Sequence, residues 1–232
     1  MQPVRPTYRT PGPAGLGDPA WKTNPDRTLV DVRTGAAPRW ETGARLTYTD
    51  SALYVHFACC AATVRAGMTH YKDKVWQEDA VEVYLRPPGD EYLYEFQVNP
   101  IGTTRDLRML HAGDPDRRAI DDQWCCTGLV TTAHIEQRNG AVVGWQALFV
   151  IPWASLGPSP LTTPAAADTW RVGLFRIERD PFEQSALAPT ARNPVDLHDP
   201  ELMLPMTPAR RTSDPSNIGA ARGHRAAAPS SA

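Results

Sequence analysis

Between Ala80 and Val98 the chain alternates with a period of two. Val81, Val83 and Leu85 fall on one face, with Glu82 and Tyr84 opposite; then Tyr92, Tyr94, Phe96 and Val98 alternate with Leu93, Glu95 and Gln97. The turn composition of Pro87 to Asp90 separates the two runs, which predicts a β-hairpin. Further strands are predicted over Arg45 to Thr49, Leu53 to Cys60, Cys126 to Ile135, Val142 to Ile151 and Trp170 to Ile177, with hairpin turns at Asp50-Ser51 and Asn139-Gly140. Helical periodicity is absent apart from a single turn at Trp153 to Leu156. Many closely spaced strands without crossover helices predict an all-β fold, an antiparallel sandwich or barrel.

The pattern ends at both termini. Residues 1 to 19 are rich in Pro and Gly and read as a flexible arm, and residues 207 to 232 lack periodic apolar positions and read as a disordered tail. One domain over residues 20 to 206 is expected between them. A net charge of −2 gives no reason to expect nucleic acid or an anionic membrane as partner. No apolar run approaches the roughly 20 residues of a membrane span, and the first ten residues have no signal-peptide core. A cytoplasmic location is the expectation, with secretion or a periplasmic location the alternative if the start is mis-assigned. Oligomeric state is not legible.

Cysteine occurs as two doublets, Cys59-Cys60 and Cys125-Cys126, each within a strand candidate. Neighbours on a strand point to opposite faces, and a tetrathiolate zinc site normally needs a gap within each pair. Four ordinary strand residues are expected, with a cross-strand disulfide the competing reading.

Candidate chemistry gathers around the hairpin. Trp76 stands just before the first strand; Glu82, Glu95 and Asn99 project polar groups in register; Arg105-Asp106 follows the second strand. An aromatic beside carboxylates, an amide and an arginine suits a polyhydroxylated ligand. The plainer reading is a sheet with one wet face and a core tryptophan. Glu82 with Glu95 offers a glycosidase pair only if the carboxyls flank a cleft. Asp73, Glu78 and Asp79 read as a solvated acidic loop, with hard-oxygen calcium binding as the alternative. His56 and His198 read as satisfied structural groups. There is no nucleophile elbow and no phosphate-cradling loop.

The order of motifs resembles carbohydrate-binding module family 9. The runs V-W-Q-E-D-A-V-E-V-Y-L and Y-E-F-Q-V-N-P-I-G-T are similar to its core signature. G-W-Q-A-L-F-V-I-P-W-A-S-L-G, W-R-V-G-L-F-R-I-E-R and L-A-P-T…D-L-H-D-P-E-L-M-L resemble its later strands and closing segment, so that the likeness spans about residues 20 to 206. It implies a β-sandwich of two antiparallel sheets that binds mono-, oligo- or polysaccharide between two tryptophans, sometimes with structural calcium and otherwise without a cofactor. By position Trp76 matches the first stacking tryptophan, Glu82 an acidic hydrogen-bonding position, and Arg105 and Asp106 a polar pair that grips hydroxyls. Leu187 stands where the resemblance places the second clamp tryptophan, Gly173 where relatives carry Asn, and Leu148 where a Glu is frequent. Three readings follow: a non-catalytic module supporting saccharide catabolism, a sandwich that has lost its sugar and serves an interaction role, and a hydrolase of O-glycosyl bonds.

Overall fold

The computed structural model describes residues 2–10, 12, 15–22, 27–157 and 169–209. Its strands are β1 (Thr7–Tyr8), β2 (Arg27–Thr28), β3 (Val30–Asp31), β4 (Thr42–Tyr48), β5 (Ala52–Cys60), β6 (Ala80–Arg86) and β7 (Tyr92–Val98). They continue as β8 (Thr104–Leu110), β9 (Ala119–Asp121), β10 (Val130–Arg138), β11 (Ala141–Pro152), β12 (Trp170–Arg179), β13 (Phe182–Ala186) and β14 (Leu204–Met206). One sheet runs β1-β4-β5-β11-β10, with β2 also on β4; the other runs β3-β13-β12-β6-β7-β8-β9, with β14 also on β12. Pairing is antiparallel except between β1 and β4. This is a β-sandwich. The β10–β11 hairpin closes through Asn139 and Gly140, whose φ of 52° and 79° are the left-handed pair that a two-residue hairpin turn requires.

Alternation decides what each sheet buries. Val81, Val83 and Leu85 of β6, Tyr94 and Phe96 of β7 and Trp170, Val172 and Leu174 of β12 face inward. They meet Val55, Phe57, Trp145 and Phe149 of the other sheet in one cluster. Each such side chain contributes about 1.5–3 kcal/mol by leaving water. Trp153 and Trp170 pack with ring centroids 5.2 Å apart, which closes one end of this core.

The outer faces differ. On the six-stranded sheet, Leu148 lies in an apolar cluster with Trp21, Ala52 and Tyr54, and Trp21 stacks on His56 at 5.2 Å. This accounts for an apolar residue at 148: Trp21 covers it. On the eight-stranded sheet, a Cβ at Gly173 would come within 2.6 Å of the Phe175 ring, which also packs on Tyr84. Phe175 has taken the space that an asparagine side chain at 173 would need.

Three details go beyond the sequence pattern. Part of the arm is docked: β1 pairs with β4, and Val4, 1% exposed, donates its N–H to Pro205 O at 2.8 Å. A single inserted valine is too short a pattern for periodicity to reveal. Thr207 and Ala209 donate back to Val4 O and Pro6 O, so the ordered chain extends past 206; the expected tail from 210 onward lies outside the described residues. Cys125-Cys126 sits in the connection before β10 rather than on a strand. All four thiols are free, and each doublet has one buried and one exposed member.

Candidate functional site

The outer face of the eight-stranded sheet carries a cluster of polar side chains. Glu82 and Tyr84 from β6, Glu95 and Gln97 from β7, Arg105, Leu107 and Met109 from β8 and Ile177 and Arg179 from β12 all occupy the parity opposite to the core residues. They form the floor of a pocket of about 520 Å³. Trp76, on the short turn Val75–Gln77 before β6, stands at its side with 39% of its surface exposed. Arg118, Ile120 and the segment Val195 to His198 complete the wall. Pockets of this size, mainly apolar with a few convergent polar groups, suit small ligands.

A continuous hydrogen-bond network lies on the floor. Gln97 Nε2 donates to Glu82 Oε1 at 3.0 Å and also to Glu95 Oε1, so a single amide bridges both carboxylates. Tyr84 Oη donates to Glu82 Oε2 at 2.9 Å. His198 lies flat on Tyr84, with ring centroids 5.3 Å and planes 17° apart. Its Nε2 is 2.9 Å from Glu95 Oε2 and its Nδ1 is 3.0 Å from Asp196 Oδ1. Asp196 in turn takes a hydrogen bond from the Arg118 guanidinium. A carboxylate on each ring nitrogen calls for an imidazolium.

The charges follow from this packing. Burial, reinforced by the charge of Glu95, pushes Glu82 up to about 8. For His198, burial opposes the charge, but the hydrogen bonds to Asp196 and Glu95 outweigh it and lift the ring to about 9. Burial likewise opposes ionisation of Asp196, but His198 and Arg118 hold it well below the usual carboxylate range.

Arg105 is fixed by hydrogen bonds to Lys72 O and Asp122 Oδ1, both at 2.6 Å. Arg179 donates to the Trp76 carbonyl, which ties the tryptophan turn to β12. Among the described residues, Gln97 Oε1, Arg105 Nε and Arg179 Nε are buried without a protein partner. Unmet buried groups of this kind cost roughly 1–3 kcal/mol each, a penalty that a hydroxylated ligand or water removes.

Four of the seven residues singled out from the sequence therefore share the pocket: Trp76, Glu82, Glu95 and Arg105. Three do not. Asp106 is next to Arg105 on β8 and so points to the opposite face, where it accepts from Tyr71 Oη and Cys126 N–H and ion-pairs with Lys72. Asn99 lies just past the end of β7 and organises its own turn, accepting from Thr103 N–H and donating to Met68 O. Leu187 belongs to the sandwich core and does not face Trp76. Sequence reasoning passed over Gln97, Tyr84, Arg179 and Arg118, and it took His198 as structural. The alternation of β6 and β7 did mark Tyr84 and Gln97 as outward, but nothing local marks the residues that arrive from other elements.

The acidic cluster is tied into its own loop. Asp79 accepts from the N–H groups of Arg65 and Arg179, Glu78 from those of Gly67 and Met68, and Asp73 from His70 N–H. Their oxygens serve N–H donors. Among the described residues, no group of three or more His, Cys, Asp or Glu is placed to hold a metal ion.

A two-sheet sandwich with an aromatic-flanked polar pocket on one outer face defines a ligand-binding β-domain. The sequence profile of carbohydrate-binding family 9 matches residues 36–157, just over half of the chain, and the chain belongs to that family. The fold is similar to a crystal structure described as a candidate carbohydrate-binding protein from Bacteroides uniformis. The TM-score is 0.73 at 17% identity, over 89% of this chain and 97% of that one. It is also similar to a family 9 module from Caldicellulosiruptor kristjanssonii solved with cellotriose, with a TM-score of 0.61 at 15% identity over 90% of this chain and 95% of that one. The same organism's module solved with glucose gives a TM-score of 0.60 at 15% identity, over 91% and 97% of the two chains. No curated protein matches the chain.

Proposed function

We propose that this chain binds carbohydrate without cleaving it, in the pocket on the outer face of the eight-stranded sheet. The face of Trp76 would cover the apolar C–H face of a sugar ring, while Glu82, Glu95, Gln97, Arg105 and His198 bind hydroxyls in the ring plane. The observation that carries this reading is the placement of one half-exposed indole beside a buried carboxylate–amide–imidazole network that still has unmet hydrogen-bonding atoms. Family membership and the sugar-bound relatives support it. In this role the protein serves saccharide catabolism as an accessory of glycoside hydrolases.

The hydrolase reading fares worse on geometry. Glycosidases hold their two carboxyls roughly 5–9.5 Å apart, on either side of the bond to be broken. Here Glu82 and Glu95 lie on one sheet face and accept from the same amide nitrogen, so no gap for a glycosidic oxygen opens between them.

A glycan array followed by titration of tryptophan fluorescence tests the proposal. At least one saccharide series should give a saturable change at up to millimolar concentration, and Trp76→Ala should abolish it with the melting temperature unchanged. An array with no binding, or an undiminished response in Trp76→Ala, would remove the reading.

A further inference from the structure

Leu187, the position expected to supply a second stacking surface, is buried in the core. An exposed aromatic does stand elsewhere on the pocket's own sheet face. Phe182 opens β13 and is 61% exposed, more than any other large hydrophobic side chain among the described residues.

Register fixes where it points. In the β12–β13 ladder, Phe175 pairs with Ala186, Ile177 with Gln184 and Arg179 with Phe182. Directly opposed residues share a face. Ile177 and Gln184 both line the pocket, so the Arg179–Phe182 pair lies on that face one step farther along, about 7 Å at two residues of strand rise. Arg179 connects the two aromatics: its guanidinium donates to the Trp76 carbonyl and sits 5.1 Å from the centroid of the Phe182 ring. One side of that ring meets the cation, and most of the residue remains open to solvent. Arg179 Nε is buried and unpartnered beside it. With Arg179 on one face and solvent on the other, the Phe182 ring sets an aromatic surface beside a guanidinium on the pocket's own sheet face.

We infer that Phe182 is the second stacking platform of this site, receiving on its open face a further ring of an oligosaccharide whose first ring lies against Trp76. The inference rests on the carbohydrate reading above and gives it a ligand class: chains of at least two sugar residues are preferred to the free monosaccharide. Pocket residues read the first ring and Phe182 reads length.

The test compares the monosaccharide and trisaccharide of whichever series binds on the array, by calorimetry, with wild type, Phe182→Ala and Phe182→Trp. Phe182→Ala should weaken the trisaccharide roughly five- to tenfold and leave the monosaccharide unchanged, as expected for loss of one aromatic contact. Phe182→Trp should retain or tighten trisaccharide binding, and both variants should melt with wild type because the side chain is exposed. Equal trisaccharide affinity in wild type and Phe182→Ala, while Trp76→Ala still abolishes binding, overturns the second platform and leaves a one-ring site. Failure of the wild type to bind any saccharide overturns the carbohydrate reading itself, and the platform with it.

Discussion

His198 Nε2 lies 2.9 Å from Glu95 Oε2, joining side chains 103 positions apart in the sequence. The contact clips the closing segment onto the central hairpin and roofs the floor of the pocket. A cycle of His198→Ala, Glu95→Gln and the double variant should show a coupling of about 0.5–3 kcal/mol in unfolding free energy, as for partners in one network. Additive effects in denaturant melts would mean that the contact contributes nothing of its own. Saccharide affinity should fall in both single variants.

Stability should decline as pH rises. Glu82 moves from its ordinary 4.5 to about 8, and His198 from 6.5 to about 9. Both bind their proton more tightly in the folded state, so each contributes fully below the lower value and loses its contribution as pH passes the higher one. Asp196 has the opposite sign: held below its ordinary 3.8, its contribution is complete above that pH and fades in acid. The melting temperature should fall between about pH 5 and 9. Glu82→Gln should flatten the lower part of that slope and His198→Ala the upper. A melting temperature that climbs across this range contradicts the assignment.

Trp145 and Trp170 are 0% and 1% exposed in the sandwich core. Replacing either with alanine should cost about 3–5 kcal/mol by chemical denaturation, a large share of what a single domain has. A loss below about 1 kcal/mol would show that the core repacks around the gap.

Leu187 tests the core against the clamp. It is 9% exposed and packed in the main cluster, so Leu187→Trp should overpack the sandwich and destabilise it by about 1–3 kcal/mol without tightening saccharide binding. Tighter binding with an unchanged melt would return this position to the site.

The central hairpin was legible because one face of it is core. Val83 and Phe96 had to be apolar, so Glu82, Glu95 and Gln97 had to point outward. Strand β8 was missed because its alternation is reversed: Asp106 and Arg108 share the inward parity, while Leu107 and Met109 line the pocket beside Arg105. Matching by position paired Arg105 with Asp106 and assigned a clamp to Leu187, yet position carries no sense of which face a residue takes. The closing segment showed its motif around His198, but its docking on Tyr84 and Glu95 depends on chain that folds in from far away. Phe182 left no periodic trace, since β13 spans only five residues.

Strands β6 and β7 assign odd and even positions to two different tasks, with hydrocarbon inward and ligand chemistry outward. Removing one residue from the middle of β7 would exchange those assignments beyond the cut, driving Glu95 or Gln97 into the sandwich and Phe96 out among the sugar-facing groups. A single-residue insertion or deletion inside these strands therefore disturbs core and pocket together, whereas a substitution at one position disturbs only one of them. Ligand preference in such a domain can change by substitution, and strand length cannot change by one residue without exchanging the two faces.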